Sequence, residues 1–346
     1  SIVVISGMAP RRDWDRGALQ GMNQAAMVQG LVKWSGVCHD IRRVPEYVAK
    51  AFRHAVAGRP GPVLLEIPPD VLNVRVEEAE VPIPRRGGRV YRSAADDAAV
   101  REAAGLIDAA KKPFILGGSG VGFSDCGTAL AAFVGRTGIP FLLMDNGRGV
   151  LPDDHPLSLW DGGQMALMTA LSTADLIVVF GIRYNWLLMF GQIFPQAKVV
   201  RVDIDATEID RNRASDVGLV GDLGLVLAQL NGAVAKREHG AWLKALKDMY
   251  LPMVAAEVEL RRKASDPIHP ARLVERIREA APDDAIFIAD GGDTCYFALT
   301  GLEAKEKAGV LVGAGGLFGC LGTGVPFGIG AKLARPDQGR HPFGPQ

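Results

Sequence analysis

The run Leu176-Ile177-Val178-Val179-Phe180-Gly181-Ile182-Arg183-Tyr184-Asn185-Trp186, followed by Lys198-Val199-Val200-Arg201-Val202-Asp203-Ile204-Asp205, decides the fold of this chain. Each half is a short apolar run that halts on Gly or Asp. The segment between them reads as helix-like, and a third short run closes on Gly221-Asp222. Strands that are apolar on both faces and alternate with helices belong to a parallel sheet covered on both sides. In such sheets ligands bind outside the carboxyl ends of the strands. Arg183, Asn185, Asp203, Asp205 and Asp222 all fall on that edge. The competing use of each is to cap a helix or close a turn, which is what Asp and Asn do most often.

Working outward, the same alternation extends over 97–232. A helix is expected at 100–110, a strand at 113–116, a helix at 128–138 and a strand at 140–144, so this region reads as one doubly wound sheet. Upstream, 1–75 reads as the end of another α/β domain, with a strand at 2–5 turning at Ser6-Gly7, a helix at 44–56 and a strand at 63–67 stopped by Pro68-Pro69-Asp70. The linker 76–96 holds Pro82, Pro84 and Arg85-Arg86-Gly87-Gly88 without an apolar period. Downstream, 233–268 reads as a mostly helical connector. A third α/β unit spans 269–338, with a helix at 271–280 and a strand at 285–289. The last residues, 339–346, form a tail without periodicity. The chain begins inside Ile2-Val3-Val4-Ile5 without Met, which reads as a strand cut in the middle and hence as part of a longer protein.

With 346 residues, 48% of them hydrophobic, two or three domains fit. The 39 basic and 39 acidic residues give a formal net charge of +0, which argues against nucleic acid or a membrane surface as a partner held by bulk charge. No apolar stretch approaches the roughly 20 residues that span a bilayer. Cys38, Cys126, Cys295 and Cys320 lie too far apart for a CxxC motif, and a reduced, cytoplasmic setting is the simplest account. The six histidines form no HExxH, so they read as structural or surface residues and zinc hydrolysis is not expected.

Two glycine-rich stretches carry chemical meaning. Gly118-Ser119-Gly120-Val121-Gly122 sits between a strand and a helix but has Phe123 where a dinucleotide fingerprint needs its third glycine. Asp290-Gly291-Gly292-Asp293-Thr294 precedes a helix, where freed backbone N–H groups and the helix dipole favour a phosphate. Gly319, Gly322 and Gly324 before Pro326 imply close backbone approach to something flat or bulky, with tight helix–sheet packing as the alternative.

Three of these pieces, in this order, resemble a known family. Gly58-Arg59-Pro60-Gly61-Pro62-Val63 with Glu66-Ile67-Pro68-Pro69-Asp70-Val71, Gly17-Ala18-Leu19-Gln20 upstream of it, and the run from Gly319 to Lys332 resemble motifs of the thiamine diphosphate enzymes of the acetolactate synthase, 2-hydroxyacyl-CoA lyase and oxalyl-CoA decarboxylase group. The resemblance implies three domains: pyrimidine-binding (1–75, incomplete), central (97–232) and diphosphate-binding (269–338, incomplete). It implies a thiamine held between the first domain of one subunit and the third of another, hence a homodimer or homotetramer. The coenzyme supplies the electron sink. By position, the Gly319 carbonyl would accept from the aminopyrimidine and Leu321, where the family often has Met, would buttress the bent coenzyme. Gly292, Asp293 and Thr294 would lie against the diphosphate, and Gln20 would line the pocket from the neighbouring subunit. The family's catalytic glutamate is expected upstream of Ser1. The ligands of its Mg²⁺, a GDG followed by Asn, are expected after Pro336-Asp337 and do not appear, so this chain alone is expected to be inactive.

The central region separates the members. Trp160-Asp161-Gly162-Gly163 stands where flavin-containing acetolactate synthases have His-Gly, which disfavours FAD. Gly181-Ile182-Arg183-Tyr184-Asn185-Trp186-Leu187-Leu188 resembles an element of the 2-hydroxyacyl-CoA lyases and oxalyl-CoA decarboxylases, which place an ADP or CoA nucleotide on this domain. Asp203 or Asp205 would then accept from ribose hydroxyls, and Arg183, Arg211 and Arg213 would meet phosphates, unless they form a solvated face. The expected function is a thiamine-dependent C–C lyase or decarboxylase of a 2-hydroxyacyl- or 2-oxoacyl-CoA that releases formyl-CoA. The alternatives are an acetolactate-synthase-like carboligase of 2-oxo acids and a non-catalytic nucleotide-binding module.

Overall fold

A computed structural model describes residues 1–85, 90–307, 309–312 and 319–336; within these, the side chains of Thr294 and Val312 lie outside the description, as do all residues of the 339–346 tail. The chain divides into two compact units, Ser1–Arg92 and Ser93–Gln346.

The first unit contains β1 (Val3–Gly7), α1 (Gln24–Val28), β2 (Trp34–Val37), α2 (Val44–Val56), β3 (Val63–Ile67) and α3 (Pro69–Leu72). Its sheet is parallel in the order β1-β3-β2. Every residue of the central strand β3 is buried, which is why Val63-Leu64-Leu65 shows no alternation in sequence. Helix α2 packs on this sheet with Ala51 and Ala55, small residues that let the helix axis lie close. Ser6 and Gly7 do not form the expected turn. They pair with Glu66 and Ile67, and the ladder hydrogen bonds outweigh their turn preference.

The second unit opens with α4 (Asp97–Ala109), β4 (Pro113–Gly117), α5 (Ser119–Phe123), α6 (Gly127–Thr137), β5 (Phe141–Leu143), α7 (Gly163–Thr173), β6 (Leu176–Phe180), β7 (Lys198–Asp203), β8 (Val217–Val220) and α8 (Leu223–Ala233). It continues through α9 (Gly240–Arg262), α10 (Pro270–Ala280), β9 (Phe287–Ala289), α11 (Gly292–Gly301), β10 (Val310–Val312) and α12 (Gly324–Ala334). β4 to β8 form one parallel sheet in the order β5-β4-β6-β7-β8, and β9 pairs in parallel with β10.

Period-two alternation sends the apolar residues of β6 to two separate cores. Leu176, Val178 and Phe180 meet Ile107 of α4, Phe133 of α6 and Leu230 of α8. Ile177 and Val179 meet Leu167 and Leu171 of α7 and Trp242 and Leu246 of α9. Each such side chain contributes about 1.5–3 kcal/mol when fully buried. Strand order reverses between β4 and β6, which marks the crevice where open α/β sheets take ligands.

One expectation fails in this unit. The segment after β6 is not an α-helix but a kinked run of 3-10 turns, Trp186–Gly191, in which Met189 (φ 46°) and Phe190 (φ 54°) are left-handed. Asn185 bonds the amide of Leu187, and Leu188 is anchored in the second core, so the chain cannot coil regularly there.

Candidate functional site

The carboxyl edge of the five-stranded sheet carries the residues singled out in the sequence, and most of them hold the backbone. Asn185 caps the 3-10 run through Leu187 N at 3.1 Å. Asp205 accepts from Thr207 N and from Thr207 Oγ1, at 3.0 and 2.7 Å. Asp222 caps α8 through Gly224 N and Leu225 N, at 3.1 and 3.3 Å. Asp203 differs. It ends β7 partly buried, and its Oδ1 takes the Asp205 amide at 3.0 Å, while Oδ2 takes no hydrogen bond among the described residues. Burial pushes its carboxyl above the ordinary value, against the Asp205 amide, which lowers it.

The arginines converge on a residue that sequence reasoning missed. Glu208, 3% exposed, pairs with Arg183 Nε at 3.2 Å, Arg201 Nη2 at 3.4 Å and Arg211 Nη1 at 2.9 Å. Arg201 is wholly buried on β7, lies 4.1 Å over the Tyr184 ring and also donates to the Ile182 carbonyl. Tyr184 is pushed up to about 12 by burial. Arg213 is partly exposed but not a free solvated side chain: its guanidinium donates to the carbonyls of Gly191, Phe194 and Ala197. Arg183 and Arg211 remain 30% and 58% exposed, so both present charge at the edge. An Arg inside an apolar strand, Val199-Val200-Arg201-Val202, was the available signal that a buried acid must face it.

At the strand reversal, Gly118 and Gly120 fit against the end of β6. Gly120 N donates to Gly181 O at 2.9 Å, and a Cβ on Gly120 would stand 2.7 Å from Gly181 Cα. These glycines serve backbone packing, so this turn is filled by the chain itself.

The β9–α11 turn is different. Helix α11 begins without a side-chain cap, and a Cβ on Gly292 (φ +66°) would meet nothing within 4 Å. Asp293 lies exposed in its first turn, and Thr294 follows it on the backbone. Gly319 (φ +55°) and Gly322 (φ +80°) likewise face open space, and between them Leu321 is 72% exposed. Asp290, not foreseen, joins the two glycine stretches. It accepts from Gly324 N at the start of α12 and from Gly291 N, at 3.1 and 2.8 Å, and these amides, Gly324 first, lower its pKa. The α12 start is thereby filled by a carboxylate, while the α11 start offers uncapped amides and room for an anion. Among the described residues no group of three or more His, Cys, Asp or Glu stands ready to hold a metal.

In the first unit, Gln20 is exposed and left-handed (φ 57°) in the loop after β1. That loop is tied down by Gln24, whose Nε2 donates to Gly7 O at 2.8 Å. Glu66 is buried in β3 with Oε1 unpaired among the described residues, and burial raises its pKa. All four cysteines are free, and among the described residues no helix is long and apolar enough to cross a membrane.

Residues 100–230 match the family model of the thiamine pyrophosphate enzyme central domain. The chain is 30% identical over 345 residues to 2-hydroxyacyl-CoA lyase 1 of Homo sapiens, covering 97% of this chain and 59% of that protein. It is also 30% identical over 349 residues to acetolactate synthase of Mycobacterium bovis, with 97% and 55% covered. To 2-hydroxyacyl-CoA lyase of Arabidopsis thaliana it is 29% identical over 356 residues, with 97% and 61% covered. The chain thus spans a little over half the length of these relatives.

Proposed function

Since this chain belongs to the thiamine pyrophosphate-dependent enzymes, we propose that the protein is a C–C lyase or decarboxylase of a 2-hydroxyacyl- or 2-oxoacyl-CoA, working with thiamine diphosphate and Mg²⁺. The observation that supports this reading most is the sheet edge around Asp203. A partly buried carboxylate with one unused oxygen stands at the end of β7, in the unit where Arg183 and Arg211 present charge. Asp203 would accept from the ribose of a CoA or ADP nucleotide, and the two arginines would meet its phosphates. Asn185, Asp205 and Asp222 would serve that site by fixing the loops around it.

The uncapped start of α11 and the left-handed glycines fit the coenzyme. Gly292, Asp293 and Thr294 would lie against the diphosphate, the Gly319 carbonyl would accept from the aminopyrimidine, and Leu321 would pack under the bent molecule. Gln20 would reach it from a neighbouring subunit of a homodimer or homotetramer. Residues 1–75, 97–232 and 269–338 would then be the pyrimidine-binding, central and diphosphate-binding regions. When bound, the coenzyme supplies an electron sink for cleavage beside the thioester carbonyl. The chain's own groups position it: backbone amides of α11 neutralise phosphate charge, and the glycines leave the backbone room to approach.

The test is product formation. A 2-hydroxyacyl-CoA is expected to yield an aldehyde or ketone and formyl-CoA only when thiamine diphosphate and Mg²⁺ are both present, and no product with both added sinks the reading. Equal identity to an acetolactate synthase favours a second reading, carboligation of 2-oxo acids. Consumption of pyruvate with a bound flavin would select it.

A further inference from the structure

A cavity of about 200 Å³ lies within the second unit, where the last turns of α9 and α11 meet α10 and the 3-10 turn Trp160–Gly162. Gly301 brings two of these helices together, since a Cβ on it would stand 2.6 Å from Val274 Cγ1. Val258 and Arg261 on α9, and Glu275 and Arg278 on α10, are three residues apart, so each pair turns one helix face to the cavity. Two donors beside it are unused. Trp160 Nε1 and Arg261 Nε are hidden from solvent and have no hydrogen-bond partner among the described residues, and both residues line the cavity. A buried donor without a partner is costly, and in a native protein it calls for an acceptor that the chain does not supply. Neither side chain is free to swing away. The Arg148 guanidinium lies 3.4 Å over the Trp160 ring, and Arg261 Nη2 donates to Glu257 at 2.8 Å and to the Thr300 carbonyl at 2.9 Å.

The charges around the cavity select the acceptor. Three arginines and three acids line it, and the acids are committed. Glu275 and Glu303 face Arg278 at 2.6 and 3.7 Å, while Asp161 takes Lys247 at 3.2 Å and the Tyr250 hydroxyl. Arg261 is paired with Glu257. The exposed guanidinium of Arg262 has no carboxylate partner among the described residues, so one positive charge is left over. We propose that this cavity is a binding site for a small monocarboxylate. Its oxygens accept from Arg262 and from the hidden donors of Arg261 and Trp160, which a side-chain shift in the lining uncovers, and its short carbon chain lies against Val258. Water would satisfy the two donors but leave the surplus charge unanswered. A dianion is disfavoured, because Glu275, Glu303 and Asp161 stand around the same space and one unpaired cation offsets a single charge. The volume is below the roughly 300–1,000 Å³ of drug-sized pockets, so the chain has only a few carbons. The proposal does not depend on the nucleotide or coenzyme reading.

Nuclear magnetic resonance of the whole chain, labelled with nitrogen-15 in its 5 tryptophans, tests this. Propionate added at constant ionic strength should move one indole N–H resonance downfield and to saturation, and that resonance should be the one missing from Trp160→Phe. Propionamide, of the same shape without the charge, and sulfate, a dianion, should each bind at least about tenfold more weakly. Arg262→Gln should weaken propionate by a similar factor, while Arg262→Lys, which keeps the charge, should restore most of the loss. Arg262 is exposed, so neither variant should alter the thermal midpoint. Calorimetry of the unaltered protein with propionate and propionamide gives the same comparison without any variant. The proposal is overturned if no indole resonance saturates. It is overturned equally if propionamide matches propionate, which makes the cavity a water site, or if sulfate binds as tightly. Propionate affinity unaltered in Arg262→Gln also overturns it.

Discussion

Replacing Arg148 by Met is expected to destabilise the second unit by about 3–5 kcal/mol, because it breaks a buried ion pair and strands one partner. Arg148 is 2% exposed, and its guanidinium lies 2.7 Å from Asp153 and 3.4 Å over the Trp160 ring. It also donates to the carbonyls of Leu299 and Leu302. Asp153 Oδ2 accepts from Ala304 N at 2.6 Å, and the Asp153 amide donates to Ala304 O at 2.9 Å. The pair thus clips the segment after β5 to the end of α11. Methionine fills a similar volume, so the lost charge and hydrogen bonds carry the effect, not a cavity.

Burial is the dominant influence on both partners, lowering Arg148 and raising Asp153, and their mutual attraction only partly offsets it. Without Arg148, burial acts on Asp153 with little opposition. An acid whose folded pKa exceeds its unfolded value favours the fold below the unfolded pKa, and that advantage is lost as pH rises through the folded pKa. The defect should therefore shrink on going from about pH 8 to about pH 5. Urea unfolding followed by circular dichroism at both pH values measures it, with a thermal midpoint lowered by roughly 6–20 °C for a unit of this size. Adding Asp153→Asn should restore more than half of the loss, since the stranded charge is then gone. A loss under about 1 kcal/mol at the higher pH, or one that grows on acidification, refutes the reasoning.

Gly149→Ala should cost at least about 2 kcal/mol, since φ is +82° and the new Cβ would stand 2.0 Å from the Glu306 carbonyl oxygen; an unchanged urea midpoint counts against it. Met189→Gly should stabilise by about 0.5–1 kcal/mol by relieving a left-handed residue whose side chain is largely in solvent, and a lowered thermal midpoint would show that the loop is not strained. Glu66→Gln should flatten the pH dependence of the first unit. Burial raises the folded pKa of Glu66, so its contribution is present at acid pH and lost as pH rises through that value; hydrogen exchange of the Leu64 and Leu65 amides across the pH range reads the change.

The apolar strands and the helices that cover them were legible in the chain because burial on two faces leaves an unmistakable composition. β3, β6 and α2 begin and end where the sequence places them. Caps were legible too, and Asp222 is one, since a carboxylate before a helix has a local use. β2 and α7 were not foreseen: Trp34-Ser35-Gly36-Val37 is too short and mixed to announce a strand, and only pairing with β3 makes it one. The 3-10 run was misread as helix because apolar spacing does not reveal that Arg213, more than twenty residues on, will seize the carbonyls of the loop.

Sequence alone therefore determined the alternating order of elements, the parallel sheet and the family, all of which follow from local pattern and motif. Only the tertiary structure decided which polar side chains remain free at the sheet edge. Hydrogen-bond and ion-pair partners come from distant segments, as Glu208 does for Arg183 and Asp290 for the start of α12, and whether a charge is already satisfied depends on proximity in space that no local pattern encodes.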